Sequence, residues 1–160
     1  MAREVVRMSP TRARDRWARI AAGAWGVALV AALAGCASPA ATLDGATGQG
    51  VSAVATARVV VQQDLDRRTF DTTAIATLGD ARTELTDAAT TVSETDVTTA
   101  EDAAWRAELA DALARGIRAV NAARDAMAGV GSLEEALAEL ETAATELEGL
   151  ESTTHPGGVG

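Results

Sequence analysis

Lysine and tyrosine are absent from this 160-residue chain, which carries one cysteine, one histidine, one phenylalanine, three prolines and three tryptophans. Each shortage closes off a class of chemistry. A single cysteine cannot form an intramolecular disulfide, and one cysteine with one histidine falls short of the usual zinc donor set. Aromatic residues make up 2% of the chain, too few for an aromatic-lined ligand pocket or a base-stacking platform. The 14 arginines face 23 acids for a formal charge of −9, which argues against nucleic acid, since that affinity rests on neutralising phosphates. Nucleophilic catalysis needs a base beside its Ser or Cys. The only histidine, His155, lies in a loose Pro- and Gly-containing tail. Glu-x-x-His pairs, which hold di-iron in helical bundles, do not occur. No catalytic, cofactor-binding or metal-ligating set is expected, and the chain reads as a non-enzyme.

The charge that is present is unevenly placed. Residues 1–19 hold Arg3, Arg7, Arg12, Arg14, Arg16 and Arg19 against Glu4 and Asp15, whereas residues 36–160 hold eight arginines against 21 acids. Between them, Ile20 to Gly35 is uncharged and rich in Ala, Val, Leu and Gly. As a helix those 16 residues would span about 24 Å, short of a bilayer core of about 30 Å. A basic segment, an apolar stretch and small residues form the plan of a secretory signal. Met8 is an alternative start to Met1 that would keep four of the arginines, and with them the positive-inside bias. No adjacent Arg-Arg pair occurs in the segment, which favours the general secretion route.

The apolar stretch ends in Leu33-Ala34-Gly35-Cys36. This resembles the lipobox of bacterial lipoproteins, and the resemblance covers residues 1–36. It implies a diacylglycerol on the Cys36 thiol, with Leu33, Ala34 and Gly35 recognised by signal peptidase II, which cuts before the cysteine. Two or three acyl chains hold a protein far better than one. The implied location is the outer face of the plasma membrane. The covalent lipid is the only cofactor-like group implied, and the membrane is the first partner. The exclusive use of arginine and the abundant alanine point to a high-GC genome, and the mature part is similar in composition and layout to small helical actinobacterial lipoproteins with no assigned activity.

Four regions follow: a signal over residues 1–35, the lipidated Cys36 with a flexible linker to residue 50, a helical domain over 51–151, and a disordered tail over 152–160. The linker reading rests on three glycines, a proline and small polar residues between Ala37 and Gly50, a composition that buries little. From 51 to 151 there is no proline, and apolar residues recur at helical spacing. Val54, Ala57, Val61 and Leu65 form a stripe in the first segment, Val51 to about Arg68. Leu78, Leu85 and Val92, with Ile75, Arg82 and Ala89 at the alternate positions, form one in the second, about Thr72 to Glu94. The third, Thr99 to about Ala128, repeats Leu109, Leu113, Gly116, Val120, Ala123 and Met127; the fourth repeats Leu133, Leu137, Leu140, Ala144 and Leu147. Sustained 3–4 spacing marks helices packed side by side.

Asp71 is a candidate N-cap, Thr98–Glu101 and Ser132–Glu135 read as capping boxes, and Gly129 with Gly131 supplies a helix stop. Short connections make consecutive helices antiparallel. The expected fold is all-α, an up-down bundle of three or four helices, the first segment being the one in question because its Thr69-Phe70 break is weak. With 28 alanines after Cys36, the core is thin and encloses no cavity.

Several residues carry two readings. Paired acids (Asp64 with Asp66, Glu134 with Glu135, Glu146 with Glu148) fit a solvated face or weak cation association. Arg82 fits a seam-edge arginine or a buried register-setter, and Trp105 a core plug or an exposed anchor. The expected activity is non-catalytic, an envelope interaction or scaffolding module docking an envelope protein or cell-wall component; the alternative is a cation or small-molecule sensor. Thin-cored amphipathic helices also self-associate, so a homodimer is a further expected partner.

Overall fold

The computed structural model describes residues 38–67 and 71–153. Every described element is helical: α1 (Pro39–Leu65), α2 (Asp71–Glu94), α3 (Ala100–Met127) and α4 (Leu133–Ser152). The protein is all-α, with four helices among the described residues. Each helix packs against the next in sequence, and α1 closes the ring against α4, with a further α1–α3 contact across the middle. That is the arrangement of an antiparallel four-helix bundle.

The first finding corrects the linker. Residues 38–50 are a capped and partly buried stretch of α1. Ser38 is the N-cap, its Oγ accepting from the Ala41 amide at 3.2 Å, and Pro39 occupies the first turn. Proline is suited there because the amide it lacks has no intrahelical acceptor. Leu43, Ala46, Thr47 and Gly50 are buried and continue into Ala53, Val54, Ala57 and Val61. Thr47, the one buried polar residue of the described core, donates its hydroxyl to the Leu43 carbonyl at 2.9 Å. The composition looked disordered because small residues usually bury little; here they line a close helix contact. A Cβ on Gly50 would lie 2.6 Å from Leu113 Cδ2 and 3.5 Å from Leu147 Cδ2. The helical domain therefore begins at residue 39, and a three-helix bundle lacking the first segment is excluded.

The α2 stripe is also corrected. Its buried residues are Ala74, Leu78, Ala81, Leu85, Ala88 and Val92, spaced 4-3-4-3-4. Ile75 is 40% exposed, Arg82 is exposed and Ala89 half-buried. Alanine at alternate seam positions lets the helices approach closely, so the larger Ile75 and Arg82 rotate outward. In α3, Leu109, Leu113, Gly116, Val120 and Ala123 are buried as the spacing predicts, whereas Met127 is half-buried. In α4, Leu140, Ala144 and Leu147 are buried, but Leu133 and Leu137 are half-buried and Ala136 and Ala143 complete the seam.

The termini obey ordinary capping chemistry. Thr99 caps α3, accepting from the Asp102 amide at 3.0 Å, one residue later than the box that begins at Thr98. Ser132 caps α4, accepting from the Glu135 amide at 3.3 Å. α3 closes at Ala128, followed by Gly129 at φ +87°. The Gly129 amide donates to the Ala126 carbonyl at 3.0 Å and the Val130 amide to the Asp125 carbonyl at 2.8 Å, the paired bonds of a Schellman stop. α1 ends at Asp66, and Arg67 takes a left-handed φ of 54°. Ser152 belongs to α4 and Thr153 caps it; the rest of the predicted tail lies outside the described residues.

Every residue of the described core falls between Leu43 and Leu147, and the chain from Ser38 forms one compact unit. The part of the chain after Cys36 thus contains the whole of the described core, which is the basis for expecting it to fold without residues 1–35. Leu147 packs level with Gly50, so α4 finishes about two turns before the start of α1. Leu43 is fully buried near the start of α1, and Trp105 is buried at 7% exposure near the start of α3.

Candidate functional site

Cys36, Leu33, Ala34 and Gly35, the residues with the sharpest sequence signal, lie outside the described residues. The described fold takes up the chain at Ser38, two residues beyond Cys36.

The acidic pairs do not converge. Asp66 accepts from Gln62 Nε2 at 3.4 Å. Glu134 Oε2 accepts from the Ser132 hydroxyl at 2.9 Å. Hydrogen bonding to the backbone amide, and then to Ser132, holds its carboxyl below the ordinary glutamate value. That stabilisation of the charged form is the expected behaviour of a carboxylate in the first turn of a helix. Glu146 pairs with Arg115 Nε across α3 and α4, while Glu148 is exposed. Among the described residues, no group of three or more His, Cys, Asp or Glu side chains is placed to hold a metal ion. No described helix is long and apolar enough to cross a membrane.

The described surface includes two open clefts. One, of about 350 Å³, runs between α3 and α4 and is lined by Arg115, Arg118, Ala119, Glu139, Thr142 and Ala143. Its floor is the alanine pair and its rim is ionic. The Thr142 hydroxyl is turned back to the Ala138 carbonyl at 2.9 Å, the usual resting bond of a helical threonine. The second, of about 310 Å³, lies between α1 and α4 and includes Arg58, Val59, Gln62, Leu137 and Glu141. Val59 is 51% exposed there. The groups lining both clefts are suited to recognition by charge and hydrogen bonding. Sequence reasoning missed the Arg115–Arg118 rim. Three-residue spacing places the two arginines on one face of α3, but only the packing of α4 against that face makes a cleft of it. Arg82 belongs to neither cleft, and Trp105 is in the core rather than on the surface.

No family model matches the chain, and neither a curated protein nor a solved structure is significantly similar to it.

Proposed function

We propose that the chain is a lipid-anchored lipoprotein of the extracytoplasmic face of the plasma membrane, whose helical bundle is a non-catalytic envelope interaction or scaffolding module. The carrying observation is Leu33-Ala34-Gly35-Cys36, with the only cysteine of the chain closing an uncharged stretch behind an arginine-rich segment. The capped start of the compact unit at Ser38 supports it, because cleavage before Cys36 would leave the folded unit whole. The diacylglycerol on Cys36 is the only added group the reading requires, and an envelope protein or cell-wall component is the partner.

Mass spectrometry of the protein extracted from bacterial membranes tests the anchor. The expected species starts at Cys36 and carries a diacylglyceryl thioether, and Cys36→Ser abolishes both lipidation and cleavage. A bare thiol with residues 1–35 still attached would refute the reading. Cross-linking in intact cells tests the docking role: enrichment of envelope partners over a charge-matched bundle is expected, and no enrichment counts against it. A small-molecule sensor is the second reading, favoured by the Arg115–Arg118 cleft. It requires a ligand-dependent rise in melting temperature that Arg118→Ala removes.

A further inference from the structure

The way the bundle meets its membrane follows from where α1 begins. One residue, Ala37, stands between Cys36 and the Ser38 cap, and two Cα–Cα steps span at most about 7 Å. Unwinding can lengthen that span by little more than the first turn of α1, because Leu43 is fully buried and Ala46, Thr47 and Gly50 follow it into the core. A 14-residue flexible linker would instead have a reach of roughly 20 Å.

The antiparallel order places the start of α1, the end of α2, residues 95–99 and the start of α3 at one end of the bundle, with the end of α4 running toward it and Glu151 beside Gly48 a little above. That end carries Asp44, Glu94, Asp96, Glu101 and Asp102 against the single Arg106. Arg106 Nη1 donates to the Thr95 carbonyl at 2.9 Å and so ties residues 95–99 to α3. Arg58, Arg67, Arg82, Arg115, Arg118 and Arg124 lie in the middle of the bundle or toward the other end.

Resting on the lipid-anchor reading above, we propose that this end is a membrane-facing surface: the bundle is seated on the headgroups rather than tethered above them. Its occupant is a lipid surface without net negative charge, since the end's acids fall within about one Debye length of the headgroups, roughly 8 Å at physiological salt. The same seating confines any protein partner to the layer that the bundle itself spans, about 40 Å for the 27 residues of α1 at 1.5 Å per residue.

The test supplies the anchor chemically, so its outcome is separate from that of the mass spectrometry on cells. The chain from Cys36 is coupled through its thiol to a maleimide lipid in vesicles carrying a dansyl headgroup probe. Trp105, the only tryptophan after Cys36, is the donor. Strong energy transfer is expected from Trp105, and weak transfer from a Trp105→Phe, Val130→Trp chain whose donor is at the far end. A 20-residue Gly/Ser insertion between Ala37 and Ser38, with a reach of about 25 Å, should sharply reduce the Trp105 signal. Because the insertion precedes the cap, it leaves the fold untouched. Insensitivity to the insertion, or equal transfer from the two ends, overturns the seating.

For the lipid preference, one palmitoyl chain on Cys36 makes binding reversible. Partition at low salt should favour zwitterionic over anionic vesicles by roughly tenfold. Glu94→Gln with Asp96→Asn should narrow that gap, whereas Glu134→Gln with Glu135→Gln at the far end should leave it. Equal effects at the two ends, or no gap, refute the surface assignment.

Discussion

Replacing Leu43 by alanine tests whether the first two turns of α1 belong to the core. Leu43 is fully buried, so the substitution removes about three methylene-sized groups from an apolar site. At about 0.8 kcal/mol each the transfer loss is about 2.4 kcal/mol. A cavity contribution adds to this, as in other buried Leu→Ala changes, which cost about 2–5 kcal/mol. Leu43 lies near the end of the bundle, close to where α4 stops, so its surroundings can partly close the gap. The cost should therefore fall near the low end, about 3 kcal/mol. For a folded unit of this size that corresponds to a fall in Tm of about 12 °C. Thermal melts of the chain from Cys36, followed by far-ultraviolet circular dichroism, would measure it. Val59→Ala, at a position 51% exposed, is the internal control and should stay within about 0.5 kcal/mol of the parent. If Leu43→Ala melts like the control, residues 38–50 contribute nothing to the fold, and both the helix start and the membrane seating derived from it fail.

Two glycines of the same segment give opposite expectations. A Cβ at Gly45 meets nothing within 4 Å, so Gly45→Ala should stabilise by about 0.5–1 kcal/mol through backbone entropy. Gly50→Ala must displace Leu113 from 2.6 Å, and overpacking of about 1–3 kcal/mol should outweigh the same entropy gain; urea midpoints that move the same way for both would contradict this. The Arg115–Glu146 pair is exposed by 43% and 35%, so a double-mutant cycle should return no more than about 1 kcal/mol and shrink with salt. Glu134 has its carboxyl pKa lowered by the backbone bond and Ser132, so its contribution is present above the ordinary glutamate pKa and lost as pH falls through the lowered folded value. The melting difference between the parent and Glu134→Gln should accordingly be largest near neutrality and vanish in acid; a difference that grows on acidification would reverse the assigned sign.

The helical period was legible in the sequence, and with it the fold class and most of the α3 seam. What failed was the weight given to small residues. In α2 the eye follows Ile75 and Arg82, yet the seam runs through Ala74, Ala81 and Ala88. Alanine buries little area of its own; its contribution is the room it leaves for Leu78, Leu85 and Val92 to reach the facing helices. The small residues of 37–50 likewise have the composition of a linker, although Ser38-Pro39 is a capping pair and Leu43, Thr47, Gly50 and Val54 continue the stripe. Three glycines within 14 residues ordinarily argue for disorder. Here Gly50 is required by the approach of Leu113, a long-range contact that no local pattern encodes.

The candidate sites divide along the same line. The proposed lipobox is a local pattern, Leu33 to Cys36 as four consecutive letters, because an enzyme acting on such a segment would meet an extended chain. The Arg115–Arg118 cleft is legible only after α4 has been laid against α3, since Glu139, Thr142 and Ala143 come from a different helix. The charged end near Ser38 is of the second kind too: Asp44, Asp96 and Glu101 lie far apart in the chain, and antiparallel packing brings them to one end of the bundle. A covalent anchor beside such an end turns bundle topology into membrane orientation, and the position of the first helical residue decides whether that orientation is imposed. A linker of even modest length would uncouple the two. With Ala37 alone between Cys36 and the Ser38 cap, a lipid on Cys36 would make the charge of one end of the bundle a property of the membrane contact.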